Sequence, residues 1–306
     1  MYMRRTNQSK KAFTIVELLT VMGVIALLIG LLVPALNIVR RIAKDTKQRA
    51  QFHSIEVALE IFKNDEGEYP ASDFIESGTV VTGAQHLAES LVGRDLQGFD
   101  PRSKGHPALD EIATVDAYAT TDPEKTESLN RRKGPYLKLE NVGAFSIKQL
   151  YTNSNYGNID PCVPLISDVF SEKQITLTNG KTVKGGTPIL YFRANTANKS
   201  LESDGGGGSR TTDTTLGYTR CTYNYYDNLE LVSLGRMMSS TPSSDVHPFN
   251  ATANNTKHQK FYDAIVNPQI TTNPDGVPYN ADSFILMSAG KDGFYGTADD
   301  IYNFGD

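Results

Sequence analysis

The 306-residue sequence predicts an α+β protein, with one long N-terminal α-helix packed on a small antiparallel β-sheet. Three observations lead there. An apolar run at residues 13–33 passes without a strong stop into a stretch of helical periodicity, strand-like segments are confined to the second half, and Asn179-Gly180 joins two of them. The overall composition is average, with 39% hydrophobic and 21% charged residues and a mean hydropathy of −0.36. That excludes a multi-pass membrane protein, a collagen-like fibre and a wholly disordered chain. A net charge of −5 and a pI near 5.6 argue against nucleic acid as a partner, because phosphate binding requires a basic face. Two cysteines are too few for a disulfide scaffold.

Residues 1–12 hold Arg4, Arg5, Lys10 and Lys11 and no acid, and residues 13–33 hold a single charge, Glu17. Twenty-one apolar residues in a helix span about 30 Å, the thickness of a bilayer core. That length at the N-terminus argues against a buried core helix and exceeds the usual core of a signal peptide, for which Pro34-Ala35-Leu36 is a weak cleavage site; the third reading is a retained anchor cut before the apolar run. The basic flank that precedes the run predicts an N-terminus in the cytoplasm and the rest of the chain outside it. A carboxylate inside such a helix is costly and marks function.

Residues 35–66 continue as an amphipathic helix. Leu36, Val39, Ala43, Ala50, Phe52, Ile55, Leu59 and Phe62 form its apolar stripe. Arg40, Arg41, Lys44, Lys47 and Arg49 form a basic stretch, which fits a solvated face as well as a contact to lipid head groups or acidic neighbours. Asn64-Asp65-Glu66-Gly67 is a C-cap, and Pro70 prevents continuation. Residues 71–135 read as irregular, with a short helix at 84–92. Ile175–Thr178 and Lys181–Lys184 flank Asn179-Gly180 as a type I′ hairpin. Ile189–Arg193, Thr222–Tyr226 and Ser283–Ser288 read as strands, the last being the clearest. The Gly205–Gly208 run lacks the Gly-Lys-Ser/Thr of a phosphate cradle and reads as a flexible loop. Residues 239–258 read as polar and irregular.

Residues 288–300 contain Asp292, Asp299 and Asp300 among Gly290, Gly293 and Gly296. Three carboxylates with turn-forming glycines suit a hard, oxygen-loving cation as well as an acidic surface turn, and their spacing is not that of an EF-hand. His53, His86, His106, His247 and His258 are isolated in sequence. No H-E-x-x-H or G-x-S-x-G motif occurs, so nothing here reads as an enzyme.

The string KKAFTIVELLTVMGVIALLIGLLVPAL resembles the N-terminus of type IV pilins and type II secretion pseudopilins. The match sets a cut between Ala12 and Phe13, places Glu17 fifth in the mature chain, and puts Pro34 where the family has proline. The family carries Gly before the cut, and this chain has Ala12. Gly67-Glu68-Tyr69-Pro70 and Gly134-Pro135-Tyr136-Leu137 add to the likeness, the latter preceding the first strand in many of these proteins. So does residues 288–300, which look like the calcium loop of the major pseudopilin.

The resemblance implies a pilin-like fold and a leader at 1–12 removed by a prepilin peptidase. It implies a transmembrane and filament-core helix at 13–34, an amphipathic helix at 35–66 and a head at 67–306 enlarged by inserted loops. A methylase would modify Phe13. Glu17 would pair with the α-amino group of Phe13 on a neighbouring subunit. Calcium would be held by Asp292, Asp299 and Asp300 with the carbonyls of Ala289 and Phe294. Partners would be further copies of the chain, minor pilins or pseudopilins and an inner-membrane assembly platform. The expected function is a structural subunit of a type II secretion pseudopilus or type IV pilus-like filament, with a periplasmic or surface-exposed head. A surface pilin for adhesion or DNA uptake and a membrane-anchored exported enzyme are the alternatives. An exported head would allow a Cys162–Cys221 disulfide, closing a loop of about 60 residues and contributing roughly 4 kcal/mol. Removing residues 1–12 leaves 26 basic against 35 acidic residues, a net of −9.

Overall fold

In the computed structural model, the described residues are 13–305 apart from 73, 77–78, 104–117, 119–122, 141, 152–155, 162, 171–172, 178, 198–200, 202–220, 238–244, 251–256 and 272–275. The chain divides into two compact units, Met1–Thr46 and Lys47–Asp306. Helix α1, Ile15–Glu66, contributes to both. In the first unit every described residue is exposed except Asp45, which is half-buried.

In the second unit the residues of α1 that turn inward are Gln48, Gln51, Phe52, Ile55, Ala58, Leu59 and Phe62. Their spacing of three and four is that of one helix face. The apolar half of this set was legible as a stripe. Its expected upper members Leu36, Val39, Ala43 and Ala50 are exposed, and Gln48 and Gln51 take buried positions instead. The reason is hydrogen bonding. Gln51 Nε2 donates to the Ser167 carbonyl at 2.9 Å, and Gln48 Oε1 accepts from Val169 N–H at 3.0 Å. The helix ends as its sequence indicates: Gly67 has φ +90° and its N–H donates to the Lys63 carbonyl at 2.8 Å.

The strands form several small antiparallel sheets rather than one. Among the described residues β1 (Phe74–Glu76) pairs with β2 (Thr79–Val81), and α2 (Gly83–Val92) follows. A helix not expected from sequence, α3 (Glu124–Arg131), comes next. After it, β3 (Gly143–Ser146) leads into the single turn α4 (Ile147–Leu150) and pairs with β4 (Pro164–Ser167). Gly134–Leu137 therefore precedes the third strand, not the first. The hairpin of β5 (Lys173–Thr176) and β6 (Thr182–Gly185) pairs Ile175 with Val183. Leu177 N–H donates to the Lys181 carbonyl at 2.9 Å and Gly180 N–H closes back on the Leu177 carbonyl at 2.9 Å, so three residues connect the strands and the turn is not the two-residue type I′ expected; Gly180 has φ +79°.

The third group is β7 (Leu190–Arg193), β8 (Phe284–Ser288) and β9 (Ile301–Tyr302), with β8 in the middle. Hydrogen bonds from Ile189 N–H to the Ile166 carbonyl and from Asp168 N–H to the Thr187 carbonyl join β4 to the start of β7. All five residues of β8 are buried, which a strand reaches only when both faces are covered. Tyr191, Phe284, Leu286 and Ile301 face a core built with Phe52, Ile55, Leu59, Phe62 and the α2 residues Leu87 and Leu91. Leu190, Phe192, Ile285 and Met287 face a second core with Tyr223, Tyr225, Phe249, Phe261 and Ile265. These partners of the sheet, a second layer, come from the chain between β7 and β8. Thr222–Tyr226, expected as a strand, instead enters a 3-10 turn (Tyr225–Asn228) and α5 (Leu229–Ser233), and α6 (Lys257–Ile265) completes the layer. Within 239–258, expected to be irregular, Pro248–Asn250 forms a 3-10 turn that buries Phe249.

Candidate functional site

Two places carry the residues that the sequence singles out, one in each unit. In the first, an 18-residue window of α1 reaches a mean hydropathy of 2.6 with none of it buried. Phe13 is 72% exposed and Ile15 78%, and Leu31, near the end of the run, is 70% exposed. An apolar surface of that size is unfavourable in water and needs lipid or other protein to cover it. The helix is long and apolar enough to cross a membrane.

Glu17 sits at the start of this surface and is not left bare. Its Oε2 accepts from Thr14 N–H at 2.9 Å and from the Thr14 hydroxyl at 2.8 Å, while Thr14 Oγ1 accepts from Glu17 N–H at 3.2 Å. This is a reciprocal capping box, in which two groups at the helix start satisfy each other. Thr14 was not singled out in the sequence, although the T-x-x-E spacing ahead of an apolar run is its signature. Gly23 and Gly30 have nothing within 4 Å, and the helix runs through Pro34. Ala12 lies outside the described residues.

The second place is the turn between β8 and β9. Pairing of Ser288 with Ile301 closes its base. Gly290 holds φ +63°, and a Cβ there would lie 2.1 Å from the Asp299 carbonyl, so both backbone angle and space require glycine. Asp292 accepts from Phe294 N–H at 2.8 Å. Asp299 accepts from Asp292 N–H at 3.0 Å and from the Thr297 hydroxyl at 2.6 Å. Asp300 Oδ2 accepts from Gly296 N–H at 2.7 Å and the Tyr302 hydroxyl at 3.3 Å, whereas its Oδ1 is buried with no hydrogen-bond partner.

These environments separate the three acids. Burial pushes the Asp300 carboxyl up to about 7. Burial also raises Asp292, helped by the neighbouring Asp299. Asp299 is held below its ordinary value: burial works against it, but the Thr297 hydroxyl and Asp292 N–H favour its charged form. The donors are all oxygen and suit a hard cation in kind. Among the described residues, however, no three His, Cys, Asp or Glu side chains come together closely enough to hold a metal. The carboxylates accept from N–H and hydroxyl groups of the loop and of Tyr302, and Asp300 Oδ1 is buried without a hydrogen-bond partner.

The loop is braced from the second layer. Tyr295 N–H donates to His247 Nδ1 at 3.2 Å, and the Tyr295 hydroxyl donates to the Pro188 carbonyl. Burial, reinforced by Arg236, pushes the His247 imidazole down to about 4, so it stays neutral and can accept. Arg236 lies 5.2 Å from the Phe294 ring centre. His247 was noted in the sequence only as an isolated histidine, and nothing in the spacing from 247 to 295 signals the contact. Ala289 is fully buried and Phe294 half-buried. Cys221 is buried, and Cys162 lies outside the described residues, as do Gly205–Gly208.

Comparison with family models, with curated proteins and with solved structures finds no match to this chain.

Proposed function

We propose that the chain is a pilin-like structural subunit that polymerises through its N-terminal helix into a type II secretion pseudopilus or a type IV pilus-like filament. The observation that carries this reading is the exposed apolar first half of α1, whose one carboxylate, Glu17, is capped at the first turn. Such a surface is stored in a bilayer and then covered by identical helices in a polymer core. The self-cap with Thr14 makes Glu17 tolerable in lipid. In the polymer Glu17 exchanges that cap for the α-amino group of a neighbouring Phe13, freed by cleavage after Ala12. A buried pair of this kind fixes register more than it adds stability. Orientation with the N-terminus in the cytoplasm rests on the prepilin-like leader. The basic flanks alone leave it open, since Arg40, Arg41, Lys44, Lys47 and Arg49 follow the apolar run as four basic residues precede it.

Calcium belongs to the same reading. Asp292, Asp299 and Asp300 would hold it with the carbonyls of Ala289 and Phe294, and its charge would offset three neighbouring carboxylates. The partnerless Asp300 Oδ1 supports this. No catalytic step is assigned to the head.

The test of the polymer reading is Glu17→Ala. The variant is expected to accumulate in the membrane at the wild-type level and to give no filaments by electron microscopy of sheared material. Normal filaments from it would refute the role of Glu17.

A further inference from the structure

The basic stretch that follows the apolar run has no part in the polymer contact described above. Arg40, Arg41 and Lys44 are all exposed, and between Glu17 and Asp45 the chain carries no acid. Arg40 lies seven residues beyond Val33, about 10 Å along a helix. Polar head groups extend about 5–8 Å beyond the hydrocarbon on each side of a bilayer. Arginine and lysine reach back along their own stems, which brings Arg40 and Arg41 level with the head groups and leaves Lys44, about 16 Å beyond Val33, just outside them. Residues 50–306 hold 21 Lys and Arg against 33 Asp and Glu, a net of −12. Cations are therefore concentrated at the membrane edge in a chain whose remainder is acidic.

We infer that Arg40, Arg41 and Lys44 form a collar that binds anionic phospholipid head groups in the leaflet next to the head. The inference rests on the reading of residues 13–34 as a membrane span. The collar attracts the negative surface over one Debye length, about 8 Å, while the acidic remainder of the chain is repelled by it. The subunit is thereby held at a fixed depth, and anionic lipid gathers around it before assembly. Charge complementarity also fits the acidic head of a second copy. Lipid is favoured because Arg40 and Arg41 reach head-group depth on the helix that enters the bilayer, with Lys44 within about one Debye length of it.

The experiment reconstitutes the full chain in phosphatidylcholine vesicles carrying trace spin-labelled phosphatidylglycerol or spin-labelled phosphatidylcholine. The motionally restricted fraction of each label gives the lipid preference. Wild type is expected to prefer phosphatidylglycerol by about tenfold at 0.1 M salt. The preference should fall towards unity at 1 M salt and in the Arg40→Gln/Arg41→Gln/Lys44→Gln variant. Equal association in wild type, or a preference that survives in the triple variant, overturns the collar. A variant that loses self-crosslinking while keeping its lipid preference assigns these cations to the acidic head of a second copy, which also overturns it. Extraction of the chain from vesicles by alkaline carbonate is a separate result: it removes the membrane span itself, and this inference with it.

Discussion

Acid should weaken the head through one buried imidazole, that of His86. This residue lies on α2, which packs against β4 and β7, and is 3% exposed. Burial, reinforced by Arg94, depresses its pKa from 6.5 to about 3. The surrounding charges are paired: Arg94 meets Glu89 at 3.1 Å and Asp160 at 3.9 Å, both at buried positions. A histidine neutral in the fold but free to charge when unfolded gives its full stability above pH 6.5. It loses that stability as pH falls from 6.5 towards 3, because only the unfolded chain takes up the proton. Between pH 7 and pH 5 the linkage amounts to about 2 kcal/mol. Urea unfolding of the full chain in detergent, followed by near-UV circular dichroism at the two pH values, measures it. His86→Gln cannot titrate, so wild type should lose about 2 kcal/mol more than the variant over this interval. Equal losses would show that His86 protonates normally in the fold and that α2 does not seal it from water.

The remaining predictions concern the loop between β8 and β9. Chelation of calcium should lower the thermal midpoint of the full chain in detergent, and calcium at 100 times its dissociation constant should restore about 2.7 kcal/mol; a midpoint indifferent to chelator removes the ion from the account. Gly290→Ala combines φ +63° with a Cβ 2.1 Å from the Asp299 carbonyl and should cost more than 2 kcal/mol. Gly305→Ala has φ +69° but open space around it and should cost about 1 kcal/mol. Similar losses for the two, read by the same denaturation assay, would mean that the turn is not closed on Asp299.

The parts of the fold that were legible in sequence are those that local chemistry decides. Gly67 ends α1, the 84–92 segment is helical, the Ile175 and Val183 strands pair, and β8 is the most apolar strand. What was not legible depends on contacts distant in sequence. Gln48 and Gln51 are polar, and only the ends of β4 and its following turn explain their burial. Thr222–Tyr226 has the aromatic content of a strand, yet Tyr223 and Tyr225 join the core that covers one face of β7 and β8 and the chain turns helical there. The expected single sheet is divided because its strands are short and meet through isolated bridges. In the acidic loop the three aspartates were legible as a group. Their separate environments were not, since the burial of Asp300 appears only in the folded loop and the brace on Tyr295 comes from His247, 48 residues away. The Thr14 partner of Glu17 was legible in principle, as it lies three residues away.

The central claim is that copies of α1 assemble into a filament core after cleavage beside Phe13. Cryo-electron microscopy of filaments sheared from cells, with mass spectrometry of the subunit N-terminus, tests it most directly. The account predicts a helical core of packed α1 segments, a subunit beginning at methylated Phe13, and Glu17 within hydrogen-bond distance of a neighbouring α-amino group. A subunit that retains residues 1–12, or a filament whose core is made by the heads, would contradict it.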